Sequence, residues 1–208
     1  MKRLLLPLLL LVSCCLAPSA RAATSNLATA PHAAQATSVK VTVLSTMLAD
    51  EYGVGEWGFA ALVEVDGYRV LFDTGARPET VLHNAEELKI DLSQVVDVVL
   101  SHNHDDHTGG LLTLRQALRA KNPQALSRAH VAEGIFAPRR YDLWPTESNP
   151  MPALREKYEA TGATMIVHKS AEMIAPGVWI TGPVPRPFPE HNWPKGMTAP
   201  GRKRSLVN

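Results

Sequence analysis

The chain has 208 residues, 45% of them hydrophobic, which is enough to bury one sizeable core and predicts a single folded domain. Its 21 basic and 20 acidic side chains nearly cancel, which argues against a nucleic-acid partner. The two cysteines, Cys14 and Cys15, both lie in an apolar N-terminal segment, so a disulfide framework is excluded for the domain.

The first 22 residues have the pattern of a secretory signal peptide. A basic start, Met1-Lys2-Arg3, precedes the apolar run Leu4–Val12, which is too short to span a bilayer as a helix. Ala20-Arg21-Ala22 supplies a small-x-small cleavage site. Residues 23–38 are rich in Ala, Thr and Ser and predict a disordered leader. We therefore expect an exported, periplasmic protein without a transmembrane helix.

A second route of export is also encoded in this segment. Leu11-Val12-Ser13-Cys14 resembles the lipobox at which bacterial lipoproteins are cleaved and acylated, so a lipid anchor on Cys14 is the alternative. Cleavage after Ala22 instead leaves a mature chain of 186 residues with 18 basic and 20 acidic side chains. That chain contains no cysteine and relies on neither disulfide nor thiolate chemistry.

Residues 39–208 alternate predicted strands and helices. The first half is predicted to contain strands at Val39–Leu44, Phe59–Val65, Tyr68–Phe72 and Val95–Leu100 and helices at Pro78–Leu88 and Leu111–Ala120. The pair Asp66-Gly67 predicts a tight hairpin. The second half is predicted to contain strands at residues 127–131, 164–167 and 178–181, a helix at residues 153–161 and a loop-rich stretch at residues 133–152. This alternation predicts an α/β fold.

The densest group of chemically active side chains directly follows the buried strand Val95–Leu100. His102, His104, Asp106 and His107 lie within six positions of one another, on a predicted loop. Imidazole and carboxylate ligands without a thiolate suit Zn, Mn or Fe. The spacing lets the first two residues bind one metal and the last two face a second, about 3.5–4 Å away. A polar surface loop is the alternative, which four potential ligands in one place disfavour.

Asp73-Thr74-Gly75 ends another predicted strand. A carboxylate there can accept a hydrogen bond from a metal-bound imidazole and fix its orientation, while an ordinary Asx turn is the alternative. The segment also matches an aspartic-protease signature. That class needs two such aspartates, however, so this chain would have to dimerise and its histidine cluster would have no role.

These motifs together resemble a known superfamily. His102-x-His104-x-Asp106-His107, with Gly109-Gly110 after it, is similar to the HxHxDH signature of the metallo-β-lactamase-fold hydrolases. Val70–Gly75 resembles their strand-Asp-Thr-Gly segment. Thr181–Arg186 is similar to the branch that includes the dihydropterin-ribofuranosyl-aminobenzene-phosphate synthases. The resemblance covers residues 39–190.

The resemblance implies an αββα sandwich and a metal-dependent hydrolase. One or two Zn ions, with Mn or Fe as alternatives, would be held by the four motif ligands, and Asp73 would orient them. A metal-bound hydroxide would attack a small ester, lactone, amide or phosphoester, with Asp106 also accepting a proton. Trp57 and Arg186 would line the substrate pocket.

The second half departs from the family pattern. The superfamily takes further ligands from its late strands, whereas this chain has only His191 after Glu190. We therefore expect an incomplete second half with one sheet face left uncovered. Three interpretations stay open: a truncated or frameshifted product, an abbreviated enzyme with fewer ligands, or a non-catalytic metal-binding remnant. His191, His130 and His168 are the candidate replacement ligands, and the sequence leaves the oligomeric state open.

Overall fold

The computed structural model describes residues 35–138, 140–141, 149–185 and 197–198. All of them belong to the unit Ala33–Asn208, so the predicted signal peptide, the lipobox and most of the predicted leader lie outside the described residues. The strands are β1 (Val39–Ser45), β2 (Ala60–Val65), β3 (Tyr68–Phe72), β4 (Asp97–Val99), β5 (Arg128–Ala132), β6 (Arg140–Tyr141), β7 (Thr164–His168), β8 (Glu172–Ala175), β9 (Val178–Ile180) and β10 (Met197–Thr198). The helices are α1 (Thr80–Glu87), α2 (Asp105–Thr108), α3 (Leu111–Arg119) and α4 (Met151–Glu159).

Six strands form the main sheet, in the order β1-β2-β3-β4-β5-β7. β1, β2 and β3 pair antiparallel, whereas β3, β4, β5 and β7 run parallel. A helix lies in each connection between the parallel strands, as βαβ crossovers require. The predicted α/β fold is confirmed, and the carboxyl ends of the four parallel strands lie along one edge of the sheet.

The hairpin between β2 and β3 forms as the Asp-Gly pair predicts. Asp66 and Gly67 both have positive φ, at 48° and 89°, as a two-residue type I′ turn requires. The Asp66 carboxylate also accepts hydrogen bonds from the backbone N–H groups of Thr37 and Ser38. Thr37 and Ser38, directly before β1, are therefore bonded to the hairpin, while β1 begins at the predicted domain start, Val39.

One face of the sheet packs against the helices to form the core. Register partners on this face are the buried residues Leu62, Leu71, Val98, Ala129 and Met165, and Leu44 of β1 is buried in the same core. They share one apolar cluster with Val81 of α1, Leu114 of α3 and Tyr158 of α4. The other face is mixed. Val39, Val41 and Val43 of the outer strand β1 are 46–60% exposed there, while Asp97, His130 and His168 are buried.

Several predicted boundaries were wrong by one or more residues. β4 keeps only three residues of the predicted strand Val95–Leu100, although β5 and its preceding residues still bond to Val95 and Val96. α4 begins at Met151, inside the predicted loop, because Pro152 occupies a first-turn position where no backbone donor is needed. Strand β8 was not predicted. Within the described residues, no helix combines the length and the hydropathy needed to cross a membrane.

Candidate metal centre

The HxHxDH motif lies at the carboxyl end of β4. His102 follows β4 after two residues, and His104 precedes α2 with an extended backbone. Asp106 and His107 lie on α2 itself, so the predicted loop is in part a single helical turn. That turn forms because the His104 carbonyl accepts hydrogen bonds from the N–H groups of His107 and Thr108, at 3.0 and 3.1 Å.

Three of the predicted ligands converge. One ligand atom each from His102, His104 and Asp106 lies within 4.8 Å of the other two. Two imidazoles and a carboxylate, none fully buried, suit a hard or borderline divalent cation that substrate can reach. The residues present therefore fit a metal ion.

His107 joins the same cluster from its other side. Its ring centroid lies 4.2 Å from that of His102, and its Nε2 lies 3.7 Å from Oδ2 of Asp106. Its Nδ1 is 2.8 Å from Oδ2 of Asp73. Because an ionised carboxylate only accepts, Nδ1 carries the proton and Nε2 presents its lone pair to the cluster.

Asp73 is held in an unusual backbone conformation beneath this cluster. It is fully buried and has φ +57°, in the left-handed region that few non-glycine residues adopt. Its carboxylate accepts hydrogen bonds from Ser101 N–H at 2.8 Å, Ser101 Oγ–H at 2.7 Å and His107. Burial raises the pKa of this carboxyl, and the three donors oppose that rise. These partners lie 28 and 34 residues away, so the carboxylate does not close a local Asx turn.

Ser101 was not singled out from the sequence, yet it links Asp73 to a second ligand. Its Oγ lies 2.9 Å from Nδ1 of His102. Since the hydroxyl proton goes to Asp73, Oγ must accept the Nδ1 proton of His102. His102 and His107 therefore both direct Nε2 toward the cluster. A serine directly before the first motif histidine was the available signal.

Close backbone packing holds α2 and its flanking glycines against the Asp-Thr-Gly segment. The Thr74 N–H donates to the His107 carbonyl at 2.8 Å, and the Gly109 N–H donates to the Gly75 carbonyl at 3.0 Å. A Cβ on Gly109 would collide with the carbonyl of Ala76, and one on Gly110 with the carbonyl of Thr74. The two glycines therefore permit an approach that no other residue allows.

Glu56 anchors the same segment from below and was also missed. Its buried carboxylate accepts from the N–H groups of Ala76 and Arg77, at 2.9 and 2.8 Å, and from the hydroxyls of Ser45 and Thr80. Burial raises the pKa of Glu56, but the four donors outweigh it and the net shift is downward. The sequence did not indicate that Glu56, a charged residue between two glycines of a predicted loop, would accept hydrogen bonds from this segment.

The remaining predicted site residues are not brought into the cluster. The Trp57 side chain is 74% exposed, so it does not pack against the sheet edge, and its place in a substrate pocket stays a prediction. Arg186 and His191 lie outside the described residues. His130 and His168 bond to each other and are not part of the converging group, so their use as replacement metal ligands stays a prediction.

The aspartic-protease interpretation is not supported. In the described part of the chain the partners of Asp73 are a serine and a histidine, whereas that class pairs two carboxylates.

Comparison with known proteins agrees with the site. The family model of the metallo-beta-lactamase superfamily matches residues 58–181, more than half of the chain, and the chain therefore belongs to that superfamily.

A curated relative is the 7,8-dihydropterin-6-methyl-4-(beta-D-ribofuranosyl)-aminobenzene-5'-phosphate synthase of Methanocaldococcus jannaschii. It is 28% identical over 131 residues, which are 61% of this chain and 44% of the relative. The chain thus spans less than half the length of the curated relative it matches.

Two solved structures are also similar. Tm1679, a metal-dependent hydrolase of the beta-lactamase superfamily, is 25% identical, with a TM-score of 0.49 over 70% of this chain and 48% of the other. The short form of human tRNase Z is 18% identical, with a TM-score of 0.41 over 62% of this chain and 43% of the other.

Proposed function

We propose that this protein is a metal-dependent hydrolase whose cation, Zn with Mn or Fe as alternatives, is held by His102, His104 and Asp106. The observation that carries the proposal is the convergence of their ligand atoms to within 4.8 Å. Membership of the superfamily supports a hydrolase-like site and leaves the identity of the metal to experiment. His107 would face a second cation through its Nε2.

The chain's own residues prepare this site before any metal arrives. Asp73 fixes the tautomer of His107, and Ser101 fixes that of His102. Both imidazoles are therefore already oriented with Nε2 toward the ligand cluster. A bound divalent cation would lower the pKa of water toward about 7 and polarise an ester, amide or phosphoester oxygen. The second oxygen of Asp106 would accept the proton released at the site.

For the substrate we propose a small ester, lactone, amide or phosphoester. The M. jannaschii relative is named for a product bearing a 5'-phosphate, which favours a phosphorylated substrate within that range. We also propose that the protein is exported, with a soluble periplasmic form or a lipid anchor at Cys14 as the two routes. A periplasmic location would separate it from intracellular pterin synthesis, so the relative's reaction is not transferred.

The decisive experiment is metal analysis of the full chain with and without its two motif histidines. Wild-type protein dialysed against Zn, Mn or Fe is expected to retain metal, and His102→Ala/His104→Ala to lose it. His83→Ala is the matched control, because the His83 ring lies on α1 against the Tyr52 carbonyl. Equal metal content in all three proteins would refute the metal centre.

The rival function is a metal-binding module without catalysis. It is favoured by the ligand count, since the described residues contain one group of three converging ligands and no second such group. Assays of the full chain with phosphodiester, lactone and β-lactam substrates separate the two. Chelator-sensitive turnover that disappears in His102→Ala/His104→Ala supports the hydrolase. Retained metal with no turnover of any substrate supports the module.

A further inference from the structure

A second group of ionisable side chains lies on the sheet face opposite the helices, and three of its four members are buried. Two imidazoles lie in series between two carboxylates, and we call the set Asp97, His130, His168 and Glu172 the buried histidine chain. Oδ1 of Asp97 is 2.9 Å from Nε2 of His130, Nδ1 of His130 is 2.9 Å from Nε2 of His168, and Nδ1 of His168 is 2.8 Å from Oε2 of Glu172. Both imidazoles are at most 5% exposed.

The orientation of the first imidazole follows from its carboxylate. Asp97 accepts two hydrogen bonds from Arg128, at 2.6 and 2.7 Å, and one from the Tyr68 hydroxyl at 2.7 Å. Burial raises the pKa of this carboxyl, but the donors His130, Arg128 and Tyr68 prevail and hold it far below the ordinary value. Asp97 is therefore an ionised acceptor, and Nε2 of His130 must donate to it.

The hydrogen bonds of the buried histidine chain determine how many protons it must hold. Three hydrogen bonds in series need three protons, whereas two neutral imidazoles and two carboxylates carry only two. If both imidazoles were doubly protonated, two N–H groups would face each other between His130 and His168. With Asp97 and Glu172 both ionised, all three bonds form only when the two imidazoles together hold one proton more than two neutral rings, whichever ring carries it.

We propose that the buried histidine chain is a proton-binding site that holds one shared extra proton and couples the stability of the fold to pH. A proton fits this position better than a metal ion, because two metal–imidazole bonds at a tetrahedral angle separate their nitrogens by about 3.3 Å. The observed separation is 2.9 Å. The site is independent of the proposed hydrolase, since none of its members contacts a motif ligand in the bonds described.

The sign of the coupling follows from the protons bound in each state. Above the ordinary imidazole range the unfolded chain has released the proton that the folded chain retains, so stability falls as pH rises. On the acid side the unfolded chain binds two protons and the folded chain only one, so stability falls as pH decreases. The charged or titratable described groups that contact the pair are Asp97 of β4 and Glu172 of β8, and Tyr68 of β3 and Arg128 of β5 act on it through Asp97. Glu133 and Lys169, directly after β5 and β7, form an exposed ion pair.

Glu172→Gln tests the proposal directly. Its side-chain NH₂ donates to Nδ1 of His168, so all three bonds are satisfied by two neutral imidazoles and the extra proton is no longer needed. The site is exposed at Glu172, whose side chain is 65% accessible, so the fold should tolerate the change. Glu133→Gln removes the same charge nearby from an exposed ion pair with Lys169 at 4.0 Å and is the matched control.

Thermal unfolding of the full chain is measured from about pH 5 to about pH 9, a range that brackets ordinary imidazole titration. As the pH rises from neutral to alkaline, the Tm of the wild type and of Glu133→Gln should each fall by about 2–4 °C more than the Tm of Glu172→Gln. This difference corresponds to the loss of about one hydrogen bond. Ring ¹⁵N NMR shifts should show one imidazolium shared by His130 and His168 in the wild type and none in Glu172→Gln. Parallel Tm curves, or two neutral rings in the wild type at neutral pH, would overturn the proposal.

Discussion

At the scale of single residues, Asp73 shows how backbone strain serves the site. A non-glycine residue at φ +57° costs roughly 1–3 kcal/mol and persists only where its surroundings compensate. Here that backbone directs the carboxylate to Ser101 and His107 at once. An extended residue would point its side chain elsewhere, so the strain is linked to the orientation of two candidate ligands.

Asp73→Asn should therefore weaken metal binding about 10–100-fold while leaving the fold nearly intact. The amide has the same shape and tolerates positive φ, but it is uncharged, and the NH₂ group that replaces one carboxylate oxygen cannot accept the hydrogen bonds made there by Ser101 or His107. Competition with a calibrated chelator measures the affinity, and circular dichroism checks the fold. Asp91→Asn, which alters an exposed carboxylate bonded to Ser93, is the control. Unfolding of Asp73→Asn with unchanged metal affinity would make Asp73 a turn residue only.

At the scale of elements, the site depends on how closely α2 and α3 approach the segment after β3. Gly109 and Gly110 end α2 and precede α3, and they lie against the carbonyls of Ala76 and Thr74. Gly58 makes the third contact, since a Cβ there would lie 2.7 Å from the Ala76 N and 2.9 Å from the Asp106 carbonyl oxygen. Glycine is needed at these positions for space, because none of the three has a positive φ.

Gly109→Ala should lower the free energy of unfolding by about 1–3 kcal/mol, the usual cost of overpacking a tight contact. The added methyl collides with backbone, which cannot rotate away, and the shift would also displace Asp106 and His107. Urea denaturation measures the loss. Gly53→Ala is the control, because its methyl would meet the side-chain oxygen of Asp50 at 3.1 Å, and that side chain can move. Equal effects of the two substitutions would contradict the packing argument.

At the scale of the whole molecule, the main sheet has two unlike faces. The helix-side face is apolar throughout its centre and supplies the core. The opposite face carries exposed valines on β1 and a buried polar network across β3, β4, β5 and β7, centred on Asp97. On this face Asp97 therefore links the parallel strands by charge-assisted hydrogen bonds, whereas apolar burial holds them together on the helix side.

Asp97→Asn should cost about 1–3 kcal/mol at neutral pH, because the amide cannot accept from all the donors that the buried carboxylate serves, while the Arg128 side chain, 51% exposed, keeps its access to water. Burial raises the pKa of Asp97, but its donors lower it more. The stabilisation is therefore complete above the ordinary value of about 3.9 and is lost as pH falls below it. Urea unfolding at several acidic pH values should show a steeper loss in the wild type than in the variant. Glu86→Gln, on the exposed surface of α1, is the charge control. Parallel acid profiles of the wild type and Asp97→Asn would contradict the assignment.

The sequence by itself determined the features that depend on near neighbours in the chain. The Asp66-Gly67 turn, the apolar alternation of β2 and β3, and the spacing from His102 to His107 each act within a few residues, so local rules predicted them. Tertiary structure alone decided which distant side chains meet. Ser101 and His107 reach Asp73 across 28 and 34 positions, and His130 reaches His168 across 38. Chain separation does not specify such partners. Sheet order and strand register do, because they place the ends of β3, β4, β5 and β7 side by side.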